Sequence, residues 1–382
     1  FNFVYWNFGF LRMGSTGLTA QEYGKGENGR PGLVPTRAAV VALILAAVLL
    51  VFQVPFAELS YWLLGIRAEQ EALVDDYFYM RIWGAPAALL LYALLGFFFG
   101  MQNAVYPLIL TFVINGLNIA LSYYFVWSLG WGVSGLALGT VLAQYGGLLL
   151  GLILLAYKYG HHFRGLRAAA VLRWTELRAF LQLNGDIFLR TLGLTLSFVF
   201  FYNVSNRLGG DALLAANVLL LQLINWVSYG IDGFAFAAES LAGKYAGAQD
   251  PAGVRRTARY SFGWGMALAA GYSLVFLVAG PGLLRLLTTE APVISAALPY
   301  WPWLVAFPLL ATPCYLLDGL FVGLTWARAM RVTMLPAAAG YVVTYFGLNY
   351  LTGWGNHALW LSFCAFMVYR AVAMGWWYYR RV

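Results

Sequence analysis

The stretch PLLATPCYLLDGLFVGLTWA, from Pro308 to Ala327, is an apolar run of membrane-spanning length that carries one carboxylate, Asp318, in its second half. After the acid come small residues at helical spacing, Gly319, Gly323 and Ala327. The same skeleton stands 223 residues earlier as Gly96, Gly100 and Ala104, and Pro308 answers Pro86 at an offset of 222. Leu95 occupies the place of Asp318 in the earlier copy. Two copies of one helical unit are therefore predicted, with the acid in only one of them.

Working outward, the whole chain has the composition of that stretch. Its 382 residues are 62% hydrophobic and 10% charged, against about 25% charged in soluble domains. Runs of this kind recur from end to end, and 42 glycines suit helices packed closely in lipid. The predicted class is an all-α polytopic membrane protein. The net charge of +8 does not point to nucleic acid, because the basic residues fall between spans. Cys314 and Cys364 lie inside apolar runs without metal-ligand spacing. There is no phosphate-binding loop and no G-x-S-x-G, which leaves an ATP-driven pump or a serine hydrolase without support.

Spans are predicted at about residues 1–20, 38–65, 76–101, 105–128, 133–158, 184–207, 212–239, 258–286, 297–324, 329–351 and 358–379. The loop at 21–37 is polar, and Pro31 and Pro35 are expected to keep it free of helix. Alternate connections carry 16 Lys and Arg on one side and three (Arg67, Arg207, Arg285) on the other, which predicts a cytoplasmic C-terminus. Subtracting 222 from 184–207 places its partner wholly before residue 1. Six plus six spans are therefore expected, eleven of them in this sequence. Residues 1–158 make an N-terminal lobe with spans two to six, 159–182 a basic cytoplasmic linker, and 183–382 a C-terminal lobe with spans seven to twelve.

Ionisable groups within spans are costly and need a reason. Asp318 has no charged residue at i±3 or i±4, which suits a carboxylate that loads and releases a proton or cation. Asp232 and Glu239 stand two turns apart on one helix, with Asp232 expected at the depth of Asp318. Asp186 and Arg190, at i and i+4, can neutralise each other on one face. Asp75, Asp76 and Arg81 are expected to form a solvated cluster at an outer mouth. Asn115, Asn118 and Ser122 put amide and hydroxyl groups on one span, for substrate or for a neighbouring helix. Asn356 and His357 admit a membrane acyltransferase only if they face a cavity at membrane depth.

With the repeat and these residues together, the chain resembles the MATE (multidrug and toxic compound extrusion) family, most closely its DinF-like branch. The similar stretches are FGFLRMGSTGLTAQEYG at 8–24, YFYMRIWGAP at 77–86, LNGDIFLRTL at 183–192, GFAFAAESLAG at 233–243 and LLDGLFVGLTWA at 316–327. The resemblance implies two six-helix lobes around a V-shaped cleft, and export of organic cations driven by a proton or sodium gradient. Asp318 matches the family's acid in the tenth helix, and Asp186, Arg190 and Glu239 match positions of the DinF-like branch. Two departures stand out. The family's first-helix Asp would lie in the expected span before residue 1, and Ser122 stands four residues after Asn118, where members often carry Asp.

The sequence thus predicts a non-enzymatic, monomeric secondary antiporter of the bacterial inner membrane. Its coupling groups would be Asp318, Asp232, Glu239, Asp186 and Arg190, and Asn115, Asn118 and Ser122 would line the substrate cleft. Expected partners are amphipathic cations and membrane lipid, with no nucleic acid. No cofactor or metal is expected beyond H⁺ or Na⁺ as coupling ion. A lipid-linked precursor flippase is the alternative. It calls for a basic cleft, whereas Asp186, Asp232, Glu239 and Asp318 outnumber Arg190 within the spans.

Overall fold

The computed structural model describes residues 2–64, 68–280 and 282–381. Arg67, one of the three basic residues counted on the outer side, lies outside them. The described chain is helical, with no strand. It divides into two compact units, Phe1–Leu181 and Gln182–Val382.

The first unit contains α1 (Asn2–Asn7), α2 (Phe10–Gly24), α3 (Leu33–Val51), α4 (Gln53–Leu64), α5 (Ala68–Arg81), α6 (Ala85–Gly100), α7 (Val105–Tyr123), α8 (Gly132–Tyr159) and the short α9 (Ala168–Val171). From it α10 (Trp174–Gly247) runs into the second unit, followed by α11 (Pro251–Ala279), α12 (Gly282–Leu287), α13 (Ala291–Ala297), α14 (Trp301–Gly323), α15 (Ala327–Thr352) and α16 (Asn356–Tyr379). The 74 residues of α10 are two arms, 174–208 and 211–247, broken where Gly209 and Gly210 leave helical geometry. Gly210 has φ of 70°, a conformation open to glycine at little cost.

Among the described residues, eight helices are long and apolar enough to cross a membrane. The 74-residue α10 is one of them and covers two predicted spans. Two more predicted spans fall outside the eight. α2 has only 15 residues, and α15 is diluted by Arg328, Arg331 and several Tyr and Thr. Two expectations near the start also fail. Helix α3 begins at Leu33 with Pro35 in its first turn, where a missing N–H breaks no helical hydrogen bond. Arg37 is no loop charge: it is buried, donates to the carbonyls of Val171 (3.1 Å) and Ala170 (2.9 Å), and pairs with Glu176. It thereby ties the basic connection to α3.

The repeat is built into the backbone contacts. In the first unit α2 packs on α6, and a Cβ added to Gly96 would stand 2.6 Å from the Arg12 carbonyl oxygen; one on Gly100 would stand 2.9 Å from that of Thr16. In the second unit the same contacts recur 223 residues on: Gly319 against Ala235 (2.3 Å) and Gly323 against Glu239 (2.2 Å). Small-residue faces that bring backbones together are how helices pack where apolar burial gives little discrimination from lipid. Gly323→Val should therefore force α14 off the second arm of α10, an overpacking cost of about 1–3 kcal/mol or more. Gly116→Ala, with open space around it, should be neutral. Melting curves and size-exclusion profiles of the two variants in detergent check the contrast.

Candidate functional site

The second unit gathers its buried charge where α10, α14, α15 and α16 meet. Contacts between the second arm of α10 and α14 run in register: the Ser228 hydroxyl donates to the Tyr315 hydroxyl at 3.2 Å, and further along Gly319 meets Ala235. That register places half-buried Asp232 at the level of residues 315–319, and buried Glu239 beside Gly323.

Asp318 is 8% exposed, and two guanidiniums converge on its Oδ2. Arg190, on the first arm of α10, is one donor; Arg370, on α16, donates from Nη2 at 2.6 Å. Arg370 is 1% exposed, lies 5.4 Å from the Phe366 ring centroid, and turns its Nη1 to the Met367 sulfur at 3.6 Å. Asp318 Oδ1 is buried and has no hydrogen-bond partner among the described residues. Asp186 does not pair with Arg190. It accepts from Arg331 of α15 at 2.9 Å, and Arg190 is taken by Asp318. An i, i+4 pair is weak beside a buried charge with a partner across the helix interface, so the tertiary partners win.

The result is a line of five charges, Arg331–Asp186 and Arg190–Asp318–Arg370, across four helices with a net charge of +1. With Asp232 and Glu239 included, four acids face three arginines, so the acid excess expected from the sequence narrows from three to one. The missed members are Arg331, which stands at the start of α15, and Arg370. The signal for Arg370 was present, since an arginine in the middle of a final span needs a carboxylate at the same depth.

In the first unit, Asn118 Nδ2 donates to Thr140 Oγ1 on α8 at 2.8 Å, and Ser122 is buried against Gly139 of the same helix. Both serve the packing of α7 on α8, while Asn115 is exposed. Arg81 is buried, donates to Gln144 at 3.0 Å and sits over the Tyr5 ring; Asp75 instead accepts from Tyr61. They are not one solvated cluster.

Asn356 belongs to a polar knot. Asn217 Nδ2 donates to Ser205 (2.7 Å) and to Asn356 (2.8 Å), and its Oδ1 accepts from Asn356 (3.1 Å) and Trp360 (2.9 Å). His357 Nδ1 accepts from the Trp303 indole at 3.2 Å. Both side chains are thus engaged in holding helices together. Cys314 and Cys364 are buried free thiols, and among the described residues no three His, Cys, Asp or Glu gather as a metal site.

A family model described as MatE matches residues 1–124 and 187–351. The chain belongs to the MatE family. It is 36% identical over 370 residues to DNA damage-inducible protein F of Escherichia coli (strain K12), which covers 96% of this chain and 79% of that protein. A probable multidrug resistance protein NorM of Bradyrhizobium diazoefficiens is 26% identical over 377 residues, 94% of this chain and 79% of that one. An outward-facing multidrug resistance MATE family transporter of the MOP superfamily shares the fold. Its TM-score is 0.88 over 99% of this chain and 85% of that chain, at 19% identity. As a MatE member the chain is a multi-pass membrane transporter and not an enzyme, so the acyltransferase reading of Asn356 and His357 falls.

Removing the shared carboxylate strands two buried guanidiniums, a loss of about 3–5 kcal/mol for a broken buried pair. Asp318→Ala should lower the melting temperature sharply, and Arg370→Met added to it should recover part of the loss. A double-mutant cycle on thermal melts of the purified protein measures that coupling.

Proposed function

We propose that this MatE transporter exports amphipathic organic cations in exchange for protons, by alternating access, in the bacterial inner membrane with its C-terminus cytoplasmic. The observation that carries this reading is the buried Asp318, joined to α10 and α16 through Arg190 and Arg370. A carboxylate that takes a proton gives up charge-assisted bonds worth more than neutral ones. Protonation at Asp318 would therefore loosen three helices at once, and deprotonation would draw them together again. Asp186 and Arg190 extend this linkage to α15, and Asp232 and Glu239 add carboxylates along the neighbouring helix face.

Proton and cation then oppose each other: occupancy by one weakens the other by the same factor, the reciprocity an antiporter requires. The name of the Bradyrhizobium relative supports drugs as cargo. In the first unit, exposed Asn115 is the amide of α7 best placed to meet cargo, with Asn118 and Ser122 positioning the helix that carries it. The protein acts as a monomer, and H⁺ rather than Na⁺ is the coupling ion.

The net +1 of the charge line gives the flippase alternative one observation in its favour, since an anionic pyrophosphate-linked lipid needs basic partners. Proteoliposomes holding the full chain and a pH-sensitive dye separate the two. Ethidium flux should move protons the opposite way, respond to an imposed pH gradient and ignore a sodium gradient. Asp318→Asn with Arg370→Gln, which keeps the net charge, should cut gradient-driven flux at least tenfold while the protein stays monodisperse. Unchanged proton-coupled flux in that variant removes Asp318 from the mechanism. Translocation of a fluorescent polyprenyl-pyrophosphate sugar without ethidium–proton exchange establishes the flippase instead.

A further inference from the structure

A groove of about 700 Å³ lies in the second unit between α11, α14 and α16, and none of Asp318, Arg190 and Arg370 lines it. Its walls are almost wholly apolar, with Phe262 on α11, Leu309 and Leu317 on α14, and Val372 on α16. Small residues open its floor: Ala371 and Gly375 of α16 take the places where larger side chains would close it, and the nearest atom to a Cβ at Gly375 would be 4.0 Å away. From Val368 to Tyr378 the groove follows ten residues of α16, about 15 Å at 1.5 Å per residue.

Polarity is confined to one end. Arg255 and Arg259 stand one turn apart near the start of α11, exposed, and Tyr378 faces them from the end of α16. The Tyr378 hydroxyl is buried and has no hydrogen-bond partner among the described residues. The groove lining contains no carboxylate. The same end carries the marks of a membrane–water boundary, with Arg380 stacked on Trp376 (3.8 Å) and Arg381 over Trp377 (4.7 Å). It also belongs to the face on which most Lys and Arg of the loops collect. Beside the groove, Tyr260, Trp264 and Trp376 are exposed, as lipid-facing aromatics are.

An amphipathic cation fits this arrangement poorly, because its charge would meet two guanidiniums. An anion with a long apolar tail fits it well. We propose that the groove binds an anionic phospholipid, one acyl chain lying along Phe262, Leu309 and Val372 and the phosphate held by Arg255 and Arg259 with the Tyr378 hydroxyl donating. The two arginines supply the paired N–H groups that phosphate oxygens accept, and the phenol finds an acceptor for its buried O–H. This site is independent of the transport reading above, since neither the cargo nor the coupling ion enters the argument.

Native mass spectrometry of the purified full chain, titrated with phosphatidylglycerol or phosphatidylcholine, tests it. Phosphatidylglycerol should bind at least tenfold more tightly and raise the melting temperature where phosphatidylcholine does not. Arg255→Gln with Arg259→Gln, both on exposed positions, should remove that preference. Val372→Trp, also exposed, fills the groove without touching the arginines and should remove the bound lipid as well. Retention of phosphatidylglycerol by Val372→Trp would reduce the effect to surface charge and overturn the groove. The same stabilisation by inorganic phosphate or glycerol phosphate alone would overturn the lipid as occupant, and so would equal binding of the two phospholipids.

Discussion

A carboxylate in hydrocarbon cannot stand alone, and Asp318 meets that constraint by drawing in two guanidiniums from helices far away in sequence. Arg190 lies 128 residues before it and Arg370 lies 52 after, yet both reach the same oxygen. The convergence holds α10, α14 and α16 together at one level. It works only because α14 sits close to the second arm of α10, where Gly319 and Gly323 leave room for backbone against backbone. Close packing and buried charge are thus one arrangement: the glycines set the distance between helices, and the acid fixes which further helices gather around them.

The two units keep the backbone part of this arrangement and differ in the rest. Where the second unit has Ala235, Glu239 and Asp318, the first has Arg12, Thr16 and Leu95 at an offset of 223. The glycines stay because a Cβ at any of the four would collide with a facing carbonyl. Side chains beside them carry no such restriction and have taken up different chemistry. Arg12, for instance, lies over the Phe99 ring at 5.9 Å, a cation–π contact with no equivalent at Ala235. Duplication has preserved a spacing and left the charge free to change.

What the sequence disclosed follows from this division. Helix period and small-residue spacing are local, so the spans, the repeat and the singular position of Asp318 could be read directly. Its partners could not, because nothing within four residues of Asp318 indicates Arg190 or Arg370. The same limit misled the reading of Asp186 and Arg190, whose i, i+4 spacing suggested a pair that two tertiary ion pairs replace. Arg37 and Arg81 looked like loop or boundary charges and are buried, each satisfied by groups more than sixty residues away. Asn118 has the chemistry of a binding face, and its contact with Thr140 on α8 was equally out of reach of local spacing.

The knot around Asn217 has a consequence for what can pass through the second unit. Each hydrogen of its amide nitrogen is given away, and its oxygen accepts twice, from Asn356 and from Trp360. Protons travel along chains of groups that can receive one while releasing another, and an amide whose valences are all engaged offers no such step. The knot contains no acid and no base. Beside the bend at Gly209 and Gly210, the Asn217 amide therefore braces helices and offers no relay of its own.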